Sequence, residues 1–279
     1  MKKLVIALAA VAAFTGSASA ADMAVKARPL PPPPPPVANW TGCYIAGSVG
    51  YGLFDNETSA FIASGGVVTP FLPSHDQGGR GWLAGGGGGC DYQFGFGGGG
   101  GFFGTGQFVI GLLADGYWAN MRGDRASVSA INNVVGGASG QEKVDSQWAV
   151  GGRIGWLVNP NTLTYFSGGY TEAHLNGVGE FFFADGDFLG RALPSATVKG
   201  WFLGGGVEYQ SGWIPNLTWK TEYRFSEYDR IDRPEFFNTP PLTPTGLFSS
   251  DKLFVQTVMT SLVYRFNWGV GKYPVTARY

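Results

Sequence analysis

Residues 199–225 constrain the fold of this chain more than any other segment. They read KGWFLGGGVEYQSGWIPNLTWKTEYRF, which is two alternating runs separated by a tight turn at 213–216. Alternate positions are apolar in both runs: Trp201, Leu203, Val207 and Tyr209 in the first, and Leu217, Trp219, Tyr223 and Phe225 in the second. The positions between them carry charges of both signs, including Glu208, Lys220 and Arg224. This alternation is typical of transmembrane barrel strands, which are apolar toward lipid and polar toward the lumen.

The N-terminus carries an export signal. Lys2 and Lys3 precede an apolar run at 4–14, and Ala18-Ser19-Ala20 fits a small-residue cleavage site. We predict that residues 1–20 are a cleaved secretory signal peptide, because the apolar run is too short to span a bilayer as a helix. The alternative is a buried N-terminal helix. Since the rest of the chain has no apolar run of about 18 residues, a membrane role requires strands.

Residues 21–38 form a separate segment that contains six consecutive prolines, Pro31 to Pro36. Proline lacks a backbone donor and favours the extended polyproline helix. We predict a semi-rigid periplasmic linker here. The alternative is a docking site for an aromatic-lined groove or for the cell wall. The remaining residues, 39–279, are predicted to form one barrel domain.

Composition excludes one class of partner. Removal of residues 1–20 removes Lys2 and Lys3, so Lys plus Arg falls from 19 to 17 against 20 acidic residues, a net charge of −3. This balance gives no basis for nucleic-acid binding. The chain has 46 glycines, 15% aromatic and only 14% charged residues. Such a composition suits strands in which glycine makes room for bulky neighbours.

Eight segments alternate in the same way, and their spacing predicts the topology. Their predicted bounds are 42–53, 80–94, 107–118, 147–158, 163–172, 199–210, 217–225 and 254–266. Connections alternate between short turns, such as 159–161 and 211–216, and long polar segments at 54–79, 119–146, 173–198 and 226–253. Short periplasmic turns and long outer loops are typical of outer-membrane barrels, and an even strand count closes the sheet. The predicted fold is therefore all-β, a closed eight-stranded antiparallel transmembrane β-barrel.

The two cysteines support this register. If Cys43 and Cys90 face each other in an antiparallel pair, Tyr51 lies opposite Trp82 and both sulfurs lie near the periplasmic end. Export permits oxidation, so we predict a Cys43–Cys90 disulfide. The two cysteines and two distant histidines, His75 and His174, show no metal-ligand spacing, and we predict neither a metal nor a cofactor.

Charged side chains at lumen positions are the candidate functional residues. They are Asp91, Asp115, Arg153, Glu208, Lys220, Glu222, Arg224 and Arg265. Because side chains fill the interior of an eight-stranded barrel, we expect these charges to pair across strands. The alternative is an acid–base pair formed by Glu208 and Glu222. A second enzymatic alternative is an outer-membrane lipid hydrolase that uses His75 or His174, but we predict that the chain is not an enzyme.

Several motifs together carry a resemblance to a known family. They are WTGCYIAGSVGYG, GCDYQFG, GWFLGGGVEY, LTWKTEYRF, SLVYRFNWG and the final VTARY. The chain resembles the small porin-like, immunogenic outer-membrane proteins of alphaproteobacteria, which share the outer-membrane protein A type of eight-stranded barrel. The resemblance covers nearly the whole mature chain from Trp40 onward. It departs from the family pattern in continuing to Tyr279, beyond the aromatic end of the last strand.

The resemblance implies a monomeric integral outer-membrane protein with a role in envelope integrity and surface interactions, and we expect no open pore. Its implied partners are outer-membrane lipid, lipopolysaccharide and the barrel-assembly machinery. Host or surface ligands could contact outer-loop groups at Phe61, Phe71, His75, 181–183, 236–237, Pro240 and Pro241. We expect instead that these aromatics pack the loops against one another. The alternative is a small porin or a ligand-binding barrel, because some relatives bind haem.

Overall fold

The structure is a computed structural model that describes residues 39–95, 105–126, 138–182, 188–211, 214–238 and 240–266. The predicted signal peptide at 1–20, the predicted linker at 21–38 and the residues after Phe266 lie outside the described residues. None of the described residues forms a helix long and apolar enough to cross a membrane.

Eleven β-strands account for the regular structure of the described residues. Their bounds are β1 Gly42–Ser64, β2 Val67–Gly95, β3 Gln107–Ala126, β4 Ala138–Asn159, β5 Thr162–Leu175, β6 Val178–Phe182, β7 Phe188–Leu193, β8 Ala196–Gln210, β9 Leu217–Tyr228, β10 Ile231–Phe237 and β11 Thr243–Phe266. Every pairing between them is antiparallel.

Eight of the strands form a ring, in the order β1-β2-β3-β4-β5-β8-β9-β11. The ring closes because β11 also pairs with β1, for example through Val258 opposite Tyr51. Closure leaves no unpaired edge in the ring, which is the condition for a sheet inside a bilayer. The predicted closed eight-stranded antiparallel barrel is therefore confirmed. Strands β6, β7 and β10 extend the sheet at one end of the barrel, where β6 pairs with β4 and β10 pairs with β11.

The outer face of the ring is apolar between two aromatic girdles. Exposed side chains at its middle include Leu112 (73% exposed), and one girdle includes Trp82 and Trp118. Tyr51 packs edge-on against Trp82, with ring centroids 5.1 Å apart. The other girdle lies beside the short turns and includes Phe94 and Phe108, whose centroids are 6.0 Å apart. The membrane-spanning part of each ring strand lies between these girdles, as the alternation predicted.

The two ends of the barrel differ. At the turn end, β4 and β5 are joined at 160–161 and β8 and β9 at 211–216. At the opposite end, which we call the extended end, strands continue well past the girdle. There β1 and β2 meet in a two-residue hairpin at Gly65 and Gly66, whose φ angles of 59° and 83° lie in the left-handed region that glycine favours.

The prediction of long loops was wrong for most of those residues. The segments 54–79 and 119–146 belong largely to β1, β2, β3 and β4, and 226–253 is largely β9, β10 and β11. Beyond the girdle at the extended end, water replaces lipid on the outer face of each strand, so the outward positions are no longer apolar while the backbone pairing continues. Polarity alone was therefore a poor guide to where the strands end.

Inward-facing glycines make room for large inward side chains. A Cβ atom on Gly89 would lie 2.6 Å from the hydroxyl of Tyr44, and one on Gly206 would lie 2.6 Å from the hydroxyl of Tyr165. A Cβ atom on Gly111 would clash with the carboxylate of Asp91. The glycine content of these strands thus reflects close packing inside the ring.

The orientation of β3 predicts the cost of a charge on the lipid face. Leu112→Arg places a cation midway between the girdles, and we expect the free energy of unfolding from phosphatidylcholine vesicles to fall by about 2–4 kcal/mol. Asp124→Arg lies on the same face of β3 but beyond the girdle, so its cost should be within about 1 kcal/mol. Urea titrations followed by tryptophan fluorescence measure both values. Equal losses in the two variants would show that Leu112 does not face lipid.

Candidate functional site: the ion-paired interior

The candidate site lies inside the ring, where inward positions of six strands carry buried charges. The structure places all eight charges considered from the sequence on this face: Asp91, Asp115, Arg153, Glu208, Lys220, Glu222, Arg224 and Arg265. Seven of them have at most 8% of their surface exposed. The eighth, Asp115, lies beside a small interior cavity. They form two clusters, one nearer the turn end and one near the middle.

The lower cluster joins Asp91, Arg153, Glu208 and Arg265. Arg153 donates to Asp91 through Nε (2.9 Å) and to Glu208 through Nη1 (3.1 Å). Arg265 donates to the same two carboxylates, to Asp91 through Nη1 at 2.8 Å and to Glu208 through Nη2 at 2.8 Å. Two arginines and two carboxylates therefore form a closed ring of ion pairs without net charge. Thr218 adds a hydrogen bond from its hydroxyl to Glu208.

Aromatic rings enclose the lower cluster. The guanidinium carbon of Arg153 lies 4.6 Å from the ring centroid of Tyr44, and that of Arg265 lies 4.6 Å from the centroid of Trp40. Trp40 also donates from its indole nitrogen to the carbonyl of Pro160, at 3.3 Å. Trp40 packs with Val109, Leu157, Leu163 and Tyr165 in a buried apolar group. Aromatic faces thus cover the guanidinium groups, and apolar side chains close the turn end of the lumen.

The middle cluster joins Asp115, Lys220, Glu222 and Arg224. Arg224 makes a bidentate pair with Asp115, with both distances 2.8 Å, and donates to Glu222 at 2.9 Å. Lys220 lies 3.5 Å from Glu222. This cluster also balances two cations against two carboxylates.

Tyr165 connects the two clusters. Its hydroxyl donates to Glu222 at 2.8 Å, while its ring centroid lies 5.1 Å from the guanidinium of Arg153. Glu208 and Glu222 consequently lie in different clusters, and each accepts hydrogen bonds from its own arginine. The acid–base pair considered as an alternative would need these two carboxylates to act on one group, and the structure does not bring them together in that way.

A third cluster was not anticipated from the sequence. At the extended end, Arg125 and Arg233 alternate with Glu142 and Asp251, with ion-pair distances of 2.7–3.2 Å. All four side chains are at most 4% exposed. These residues fell in segments predicted as loops. Continued parity could have found Arg125, ten residues after Asp115, and Asp251, fourteen residues before Arg265. It would have missed Glu142, because the register of β4 shifts between Val144 and Ser146, and Arg233, which lies on β10.

An apolar layer separates the third cluster from the middle one. It consists of buried side chains from all eight ring strands, among them Phe54, Leu83, Met121, Leu253 and Met259. A cavity beside Tyr44, Asp115 and Lys220 measures about 10 Å³, which is room for about one water molecule. From the turn end upward the interior is therefore apolar, ionic, apolar and ionic again.

The predicted disulfide is confirmed. Cys43 and Cys90 lie opposite each other in the pairing of β1 and β2, and their sulfurs are 2.04 Å apart. The same register places Tyr51 opposite Trp82, as expected. The bond joins two ring strands at the turn end.

The two histidines lie apart from one another and outside the lumen clusters. Nδ1 of His75 lies 3.4 Å from the carbonyl of Pro73, and Nδ1 of His174 lies 3.3 Å from the hydroxyl of Thr197. The described part of the chain contains no group of three or more His, Cys, Asp or Glu side chains arranged to hold a metal ion.

Two buried carboxyls at the extended end have strongly shifted pKa values. Burial and the neighbouring charge of Glu180 together raise the pKa of Glu235 on β10 to about 7, against the opposing effect of Arg191. Burial also acts to raise the pKa of Asp251, but Arg125 and Arg233 outweigh it and hold that pKa at about 2. The extended end thus contains one strongly paired carboxyl and one weakly paired carboxyl.

Comparisons with known proteins give distant structural likenesses. No family model and no curated protein matches the chain. The crystal structure of Ail, the attachment invasion locus protein of Yersinia pestis, is 15% identical, with a TM-score of 0.35, and the match covers 81% of this chain and 99% of Ail. The outer membrane protein OprG of Pseudomonas aeruginosa is 13% identical over 83% of this chain and 99% of OprG, with a TM-score of 0.38. The outer membrane protease OmpT of Escherichia coli is also 13% identical, with a TM-score of 0.33 over 80% of this chain and 97% of OmpT. At this distance we draw no functional conclusion from them.

The lower cluster predicts a large effect of removing one ion. Arg153→Met leaves Asp91 and Glu208 short of a buried partner, and we expect the free energy of unfolding to fall by about 3–5 kcal/mol. The matched control is Arg230→Met, because Arg230 pairs with Glu57 at 3.0 Å on the exposed surface. That loss should be at most about 1 kcal/mol. Denaturant titration of the membrane-inserted protein measures the free energy of unfolding of both variants. If both losses are small and similar, the lower cluster is solvated by water and is not buried.

Glu235 predicts a pH dependence at the extended end. Its folded-state pKa of about 7 lies above its ordinary value of 4.5, so the folded state binds more protons between these values. Stability of this end should therefore fall as the pH rises from 4.5 to 7. Above that range Glu235→Gln should be more stable than the natural protein, by on the order of 1–2 kcal/mol after solvent screening, and the gain should vanish at acidic pH.

Hydrogen exchange of the β10 amides measures this local stability. The control is Glu227→Gln, because Glu227 pairs with Lys252 at 2.7 Å in a partly exposed bridge. We expect the control to show no comparable gain above neutral pH. A Glu235→Gln variant whose β10 protection follows that of the natural protein at every pH would contradict the assignment.

Proposed function

We propose that this chain is an integral outer-membrane β-barrel protein of a Gram-negative cell, with a structural role in the envelope, surface interactions at its extended end, and no open pore. The observation that carries the proposal is the filled interior. Each ion cluster is neutral and buried. One apolar layer lies at the turn end, and another lies between the middle cluster and the third cluster. An ion crossing this lumen would have to separate paired charges or enter an apolar layer, and both steps are costly.

The route to this location is part of the proposal. Residues 1–20 would direct export and be removed, and residues 21–38 would act as a periplasmic linker. The barrel-assembly machinery would insert residues 39–279 as a monomer, with the turn end in the periplasm and the extended end outside the cell. The apolar outer face between the aromatic girdles supports this placement, because it fits lipid rather than water.

The extended end supports a role in surface contacts. Val67 and Val68 at the tip of the β1–β2 hairpin are 65% and 63% exposed although they lie beyond the girdle. Phe61, one of the aromatics considered as an outer contact, instead stacks on Phe248 with centroids 5.3 Å apart. The hairpin tip is therefore a better candidate for contact with another surface than the Phe61 ring.

None of the three alternatives is favoured by a specific observation. A small porin would need a continuous aqueous path, which the layered interior opposes. A haem-binding barrel would need an apolar pocket with an axial ligand, and His174 instead contacts Thr197 on the outer face of β5. A lipid hydrolase that uses His75 or His174 would need a nucleophile and an acid near one of these rings. His75 instead contacts the carbonyl of Pro73, and His174 contacts the hydroxyl of Thr197.

The closed lumen predicts that the protein does not conduct ions. Purified protein in planar phosphatidylcholine bilayers should produce no reproducible conductance steps, because no layer of the interior admits a hydrated ion. Migration that changes on boiling, measured on the same preparation, verifies that the barrel is folded, and cell fractionation should recover the protein with the outer membrane. Reproducible steps from folded protein would refute the closed lumen, and recovery in the soluble periplasm would refute the location.

A further inference from the structure

Three cations stand side by side on the outer face of the barrel. In the pairing of β2 with β3, Arg80 lies directly opposite Arg122, and in the pairing of β3 with β4, Arg122 lies opposite Lys143. All three are at outward positions, and Arg80 and Arg122 are exposed. Like charges directly opposite each other on neighbouring strands are destabilising. An anion bound from outside the barrel would relieve the repulsion within this cation row.

The neighbouring acids leave part of this charge unpaired. Lys143 forms an ion pair with Asp145. Arg122 donates from Nε to the amide oxygen of Asn120, at 2.9 Å, which is a neutral partner. Among the ion pairs of the described residues none involves Arg80 or Arg122, and Asp124 lies one step further from the membrane on the face of Arg122. Two adjacent guanidinium groups are consequently available, and such groups bind phosphate oxygens in bidentate fashion.

An apolar groove lies on the same three strands, on the membrane side of the cation row. Its volume is about 430 Å³, and its lining includes Gly86, Gly116, Trp118 and Trp148. A Cβ atom on Gly116 would meet only the Cβ of Trp148, at 3.9 Å, so the groove floor is open. Arg122 and Gly116 are six residues apart on β3, which corresponds to about 20 Å along the strand. The cations lie just past the girdle formed by Trp82 and Trp118, where lipid headgroups would lie.

We infer that this wall of the barrel binds a lipid whose headgroup carries phosphate, with the phosphate on Arg80 and Arg122 and an acyl chain in the groove over Gly116. The inference rests on the proposed outer-membrane location and names a partner for it. The cation row would bind the phosphate of the headgroup. The groove lies within reach of an acyl chain of the same lipid, which favours a lipid over a free anion. Free phosphate ions would bind to the cation row alone.

The test measures binding of bis-phosphorylated lipid A to the full barrel in phosphatidylcholine nanodiscs, by native mass spectrometry over a lipid titration. The double variant Arg80→Ser and Arg122→Ser should weaken the apparent Kd by about tenfold or more. Gly116→Leu fills the groove without a backbone clash and should weaken it by roughly fivefold. Raised salt should weaken binding to the natural protein more than to the double variant.

Two matched controls test whether the effects belong to this wall. Lys199→Ser removes an outward cation that faces Glu172 across the β5–β8 pairing. Gly47→Leu fills a different outer groove, lined by Val49, Trp219 and Leu262, from another open glycine position. Both controls should bind lipid A within about twofold of the natural protein.

The outcomes separate this inference from the proposed function. Failure of the natural protein to insert into nanodiscs would overturn the proposed membrane location and this site with it. Normal insertion with unchanged binding in the arginine double variant would overturn the phosphate site alone. If inorganic pyrophosphate displaces lipid A completely while Gly116→Leu has no effect, the wall binds anions without selecting a lipid, and the inference is again wrong.

Discussion

Charge pairing inside a closed ring is the interaction on which the rest of this structure depends. Closure satisfies the backbone and turns alternate side chains away from lipid, so inward positions can carry charges that lipid-facing positions cannot. The charges are tolerated because each cluster is neutral and densely hydrogen-bonded, as in the ring formed by Arg153, Asp91, Arg265 and Glu208. Loss of one member leaves its partners charged and buried, whereas loss of an outer-surface ion leaves a solvated one.

The same interior explains the glycine content. The inward side chains of Tyr44 and Tyr165 lean over the neighbouring strand, where Gly89 and Gly206 are their direct partners in the register and leave room for the two hydroxyls. Gly111 lies between Asp91 and Arg153 in the strand register, so the pair of charges closes over it. Large inward side chains thus pack against glycines, and this packing leaves room for few water molecules.

The sequence predicted the membrane-spanning half of the fold and much less of the extended end. The start of β3 at Gln107 and the end of β11 at Phe266 match their predicted bounds, because lipid on one face imposes a strong alternation. The disulfide register followed from the same parity. Beyond the girdle water replaces lipid, the alternation weakens, and strands that run on to Gly65 or Ala126 were interpreted as loops. The cluster of Arg125, Glu142, Arg233 and Asp251 was lost with them, since no residue in a predicted loop has an assigned face.

Neutral clusters also limit where this barrel can recognise anything. A ligand entering the lumen would have to compete with partners that already satisfy Arg153, Arg224 and Arg265, at the cost of a stranded carboxylate. The outer surface has no such constraint, and Arg80 and Arg122 stand there as like charges in direct register. The exposed cations of the wall are therefore better placed to bind a ligand than the paired charges that the described residues hold inside the ring.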